Sequence, residues 1–213
     1  LSLLEDAAKS FPDFELFHRD CVAILLHEGK KEQALERANR NILNFKGNYD
    51  MWIDCGAVYS RMGQYKRAEE SYRMALSLQP NAQDAWFNWA NMLLERQQYA
   101  QAEEHYLRVV RINPDNEEAW LQLAYCCLFS HDYYVALRYL EKGLTLKRNE
   151  SAFFYVRSLV LEELQDLDGA LSNIDKALKR GNDEELWKQL IKLLRKKGED
   201  TTNVMQYMED IIR

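Results

Sequence analysis

From Tyr49 to Pro80 the large and small side chains fall on a helical lattice: Trp52, Cys55, Gly56 and Tyr59 stand at i, i+3, i+4 and i+7, and Ala68, Tyr72 and Pro80 follow. That spacing places the first four on one face of a helix. The lattice recurs every 34 residues. Ala34, Ala68, Ala102, Ala136 and Ala170 keep one register, Trp52, Trp86, Trp120 and Phe154 a second, Tyr65, Tyr99 and Tyr133 a third, and Tyr72, Tyr106, Leu140 and Ile174 a fourth. Pro12, Pro80 and Pro114 share a phase, with Lys46 in the empty slot between the first two. An alanine kept five times marks the point where two helices of a hairpin come closest, since a larger side chain there would force them apart.

Trp52, Cys55, Gly56, Tyr59, Ala68, Tyr72 and Pro80 stand where the tetratricopeptide repeat carries Trp, Leu, Gly, Tyr, Ala, Phe and Pro, and the chain resembles that family. The resemblance implies an all-α fold, a right-handed α-solenoid of stacked antiparallel helix pairs, because one hairpin cannot bury its own apolar face and gains stability by stacking on copies. The phase divides a single array over 1–213 into a half-repeat helix at 1–14, five repeats at 15–48, 49–82, 83–116, 117–150 and 151–183, and a divergent terminal repeat at 184–213. The opening helix reads from Leu3, Leu4, Ala7 and Ala8, and it is half a repeat without its first half. With no initiating Met, this phase suggests a piece cut from something longer.

Gly29 and Gly63 mark the turn inside the first two hairpins. The phrases Asn81 to Trp86 and Asp115 to Trp120 each put an amide or acid at a helix start, with acids in the first turn. The register then slips by one, because Trp187 follows Phe154 by 33 residues; Trp187, Leu190, Ile191 and Leu194 resume the pattern, and Val204, Met208, Ile211 and Ile212 share a face of the last helix.

Composition bounds the function. The 213 residues are 47% hydrophobic with a formal charge of −6, which disfavours nonspecific adhesion to nucleic acid or anionic lipid. No run approaches the roughly 18 consecutive apolar residues a membrane span needs. Cys21, Cys55, Cys126 and Cys127 read as small buried hydrophobes in a reducing compartment, and the chain reads as cytoplasmic. His18 and Cys21 share a helix face, but no second pair stands at matching spacing, so no metal site is expected. No phosphate loop, nucleophile elbow or His-Glu-x-x-His occurs, and no cofactor is called for. Glu103–Glu104, Glu162–Glu163 and Glu184–Glu185 read as solvated faces, and Lys188, Lys192, Arg195, Lys196 and Lys197 as the soluble face of a terminal helix rather than a nucleic-acid surface. The chain reads as a non-enzyme.

The resemblance implies a concave wall built from the first helix of each repeat. Its positions fall on Asp50, Ile53 and Asp54 in the second repeat, Phe87, Asn88 and Asn91 in the third, Leu121, Gln122 and Tyr125 in the fourth, and Tyr155, Val156 and Leu159 in the fifth. The family's carboxylate clamp for a chaperone's acidic tail is not matched, because Asp50, Asp84 and Glu118 stand where basic residues belong. The backbone-gripping asparagine ladder of another member type is matched in part, reading Asp20, Asp54, Asn88, Gln122, Val156. Amides beside aromatic rings suit a peptide. The expected partner is therefore another protein, presenting an extended or short helical peptide across Asp54, Phe87, Asn88, Asn91, Gln122, Tyr125 and Tyr155, with its basic end near Asp50 and Asp54. The alternative is an architectural segment of a larger assembly that leaves the groove unused.

Overall fold

The computed structural model describes residues 14–45, 47–146, 150–181 and 183–212, with Leu3, Asp6, Ser10 and Phe11, and for 209–212 the backbone alone. Much of the half-repeat read at 1–14, with Leu4, Ala7, Ala8 and Pro12, lies outside the described residues, as do Lys46, Asn182 and the side chains of Ile211 and Ile212.

Among the described residues the chain forms twelve α-helices and no strand. They are α1 (Glu15–His27), α2 (Lys31–Asn44), α3 (Tyr49–Arg61), α4 (Tyr65–Leu78), α5 (Gln83–Glu95), α6 (Tyr99–Ile112), α7 (Glu117–Phe129), α8 (Tyr133–Leu144), α9 (Glu150–Glu163), α10 (Leu167–Leu178), α11 (Glu184–Lys197) and α12 (Thr202–Ile212). The chain folds as two compact units, Leu1–Asn113 and Pro114–Arg213.

In the first unit the hairpins α1/α2, α3/α4 and α5/α6 pack in order, and α1, α3 and α5 also touch directly. In the second, α7/α8 and α9/α10 stack, α7 meets α9, α10 packs on α11, and α11 meets α12. The alanines hold these contacts: Ala34, Ala68, Ala102, Ala136 and Ala170 are all fully buried. A second close approach lies in the α3/α4 hairpin, between Gly56 and Tyr72. A Cβ built on Gly56 would lie 2.5 Å from the ring of Tyr72, and Tyr72 is itself buried. Glycine is therefore required there by the bulk of the facing ring.

The turn within each hairpin has one backbone solution. Gly29, Gly63, Gln97, His131, Gln165 and Gly198 all take a positive φ, between 59° and 82°. Only three of these residues are glycines, so a residue with a Cβ sits in the left-handed region at Gln97, His131 and Gln165. The turn between hairpins is fixed differently. Trp86 Nε1 donates to the carbonyl of Pro80 at 3.0 Å, and Trp120 Nε1 to that of Pro114 at 2.8 Å. The proline stops one helix, and the tryptophan opening the next ties down the carbonyl left without a helical partner.

The two similar helix starts differ in detail. Asn116 caps α7 by accepting from the Ala119 N–H at 2.8 Å, whereas α5 begins after Ala82, with no side-chain cap from Asn81. Ala82 holds the cap position, is buried, and has no side-chain oxygen to accept from the first turn.

Candidate functional site

Each unit presents a wall made from the first helices of its hairpins. In the first unit, Asp54 of α3 is already engaged: Arg19 of α1 donates from Nε to Oδ2 at 3.1 Å and from Nη2 to Oδ1 at 3.4 Å. The same guanidinium stands 3.2 Å from Asp50. The acids read as waiting for a basic partner thus hold an internal arginine, which the sequence reading did not foresee. Burial pushes the Asp54 carboxyl up to about 6; Arg19 pulls it down, and Asp50 and Asp20 push it further up.

On α5, Phe87, Asn88 and Asn91 are all half-buried. Phe87 lies edge-on to Tyr106 at 5.6 Å, and the Tyr106 hydroxyl donates to Asn91 Oδ1. Asn91 is therefore in part a structural group, satisfying a fully buried tyrosine. Asn88, next to Phe87 in the chain, is half-buried and has no hydrogen-bond partner among the described residues.

In the second unit, Gln122 of α7 is likewise half-buried and unbonded among the described residues. Tyr125 stacks on Phe129 at 6.0 Å with the rings 17° apart. Burial raises the Tyr125 hydroxyl and Tyr155 adds to it, which places the two phenols as neighbours. At that end of the helix, Leu128 is buried and Phe129 is 48% exposed.

Glu162 is not on a solvated face but is 1% exposed. It accepts from Gln189 Nε2 at 2.8 Å and pairs with Lys192 at 2.9 Å and with Lys196. Burial pushes its carboxyl up, and the bonds from Lys196, Gln189 and Lys192 outweigh this, so it lies below the ordinary glutamate range. The cations of α11 are correspondingly engaged: Lys188 pairs with Glu184 and Glu185, and Lys197 with Asp168 and Glu199. The clue available in sequence was the spacing of Gln189, Lys192 and Lys196, one face of one helix.

Among the described residues no three His, Cys, Asp or Glu side chains gather as metal ligands. The four cysteines are buried, and burial with Asp54 alongside pushes the Cys55 thiol up to about 12, far from a reactive thiolate. No described helix is long and apolar enough to cross a membrane.

Residues 56–117 match one tetratricopeptide-repeat family model and residues 93–160 match another. The chain is built of tetratricopeptide repeats. Its fold is that of solved repeat solenoids. PilW, a type IV pilus biogenesis factor, superposes with a TM-score of 0.77 at 16% identity, over 94% of this chain and 92% of that one. Pseudomonas aeruginosa pilF gives 0.73 at 20% identity, over 87% and 85%. YrrB, described as a TPR protein with an unusual peptide-binding site, gives 0.65 at 19%, over 92% and 97%. At these identities the likeness is one of fold. No curated protein matches the sequence. Tetratricopeptide repeats are protein-interaction scaffolds, and the chain is read as one.

Proposed function

We propose that this repeat chain binds a peptide segment of a partner protein on the walls formed by α3 and α5 in the first unit and by α7 and α9 in the second. It does so without catalysis. The observation that carries this reading is the pair of half-buried amides, Asn88 and Gln122, that have no partner among the described residues and stand beside aromatic rings. Neither amide is committed to a neighbour or sealed from water, so a peptide backbone can replace that water as both donor and acceptor. Phe87, Tyr125 and Tyr155 then receive side chains, and the unusual peptide-binding site of YrrB lends the same fold that use. Asp54 takes a lesser part than its position implies, because an incoming cation must displace Arg19. The buried thiols fit a reducing compartment such as the cytoplasm.

The test is selection of twelve-residue peptides displayed on phage against the whole chain, followed by calorimetry of the selected peptides. Asn88→Ala and Tyr125→Ala should each weaken binding of peptides selected on their wall, and loss of an aromatic anchor by roughly thirtyfold, the equivalent of about 2 kcal/mol. Substitution of the exposed Glu70 of α4 should change nothing. If both wall variants stay folded and bind as wild type does, the walls are not the site. The architectural reading, which the pilus biogenesis role of PilW supports, then takes its place.

A further inference from the structure

We infer that the wall of the second unit takes an acidic segment carrying a bulky apolar side chain, held by Lys192 and Lys196 of α11. This rests on the peptide-binding reading and gives its partner a chemistry.

Two cavities meet at Lys192. One, of about 240 Å³, has Leu128, Phe129 and Leu159 as its apolar wall. The other, of about 480 Å³, is floored by Ile191 and Met205 and edged by Lys196 and Arg195. The charge between them is asymmetric in depth. The Glu162 carboxylate is buried, its side chain 2% exposed, while the lysines it binds are 54% and 46% exposed. One buried anion against two half-exposed cations, with Arg195 beside them, leaves an excess positive charge on the larger cavity, while Glu163 offsets it on the smaller, on a chain whose formal charge is −6. Glu162 also acts as an anchor: by holding both ammonium groups in place it removes the ordering cost that free lysines would bring to binding.

The rim gives the segment a direction. Glu163, which accepts a long 3.5 Å hydrogen bond from Tyr133, stands on the same smaller cavity as Lys192. It repels a carboxylate on its own side, so the acid of the segment lies toward α11 while the apolar side chain enters beside Phe129. A nucleic acid fits less well. Lys188 and Lys197 are each tied to two carboxylates, which interrupts the basic stripe that a phosphate backbone would follow.

The peptides selected from the twelve-residue library serve as the probe, with a single-stranded twelve-nucleotide DNA as a second arm. On wild type, the enriched sequences whose binding Tyr125→Ala weakens should combine Asp or Glu with Leu, Ile, Met, Phe or Trp, and their binding should weaken as salt rises. Lys192→Gln leaves Glu162 its bonds to Lys196 and Gln189, and Phe129→Ala changes an exposed ring, so both variants should fold; each should weaken those peptides at least tenfold. Peptides weakened by Tyr125→Ala that are basic or neutral, or that ignore both substitutions, overturn this inference and leave the peptide-binding reading standing. A library that enriches nothing overturns both. DNA that binds more tightly than the best peptide, and loses its grip in Lys192→Gln, makes the face a nucleic-acid surface and overturns it as well.

Discussion

At the residue scale, the turn inside each hairpin states its requirement through φ rather than through residue type. Glycine stands there in three of six cases, and Gln97, His131 and Gln165 adopt the same left-handed conformation at φ of 59° to 64°. A Cβ in that region costs on the order of 1 kcal/mol, offset in part by the greater freedom glycine has when unfolded. Gln97→Gly should therefore stabilise the protein by about 0.5–1 kcal/mol, read as an upward shift in the denaturation midpoint. A fall in stability would mean that the Gln97 side chain contributes more than its backbone costs. This explains what was legible at this scale. Gly29 and Gly63 revealed the turn because glycine is the visible mark of a positive φ, while Gln97, His131 and Gln165 hid the same backbone behind ordinary side chains. Trp86 and Trp120 were legible as a series, but their hydrogen bonds to the Pro80 and Pro114 carbonyls emerge only once the turn brings indole and carbonyl together.

At the scale of the helix, register is what the sequence recorded best, because the alanine series repeats a steric condition that chance does not produce. Each alanine is fully buried, and enlarging one must separate two helices. Ala102→Leu should cost about 1–3 kcal/mol through overpacking of α5 against α6, measured by chemical denaturation. Unchanged stability would show that the register assigned to that hairpin is wrong. Contacts between hairpins were harder to read. Glu162 looked solvated beside Glu163, and nothing local distinguishes the two; its partners Gln189, Lys192 and Lys196 lie 27 to 34 residues ahead, beyond the one-residue slip before Trp187. Arg19 and Asp54, 35 residues apart, escaped notice for the same reason. Repetition discloses the residues that every hairpin needs, and a charge pair made once between two hairpins leaves no period to detect.

At the scale of the whole molecule, the Asp54 and Glu162 carboxylates should give α3 and α9 opposite responses to pH. Asp54, in the first unit, has a folded value raised from 3.8 to about 6, chiefly by burial. Its folded form binds a proton more readily than its unfolded form does, so the stability it contributes is present below about pH 4 and is lost as pH rises through about 6. Glu162, in the second unit, is shifted the other way, because the bonds from Lys196, Gln189 and Lys192 outweigh its burial. Its contribution is present above the ordinary glutamate range, near 4.5, and is lost as pH falls through its lower folded value. Hydrogen exchange followed helix by helix on the full chain separates the two. On moving from pH 5 to pH 7, after correction for the intrinsic exchange rate, protection in α3 should fall, while α9 should lose protection only below about pH 4.5. Asp54→Asn should flatten the first trend and leave α9 unaffected. Glu162→Gln should flatten the second and weaken α9 at neutral pH by about 1–3 kcal/mol, since it leaves Lys192 and Lys196 without their anion. Parallel pH trends in α3 and α9 would show that neither carboxylate governs the helix it sits on, and the charge pairs would then be incidental to stability.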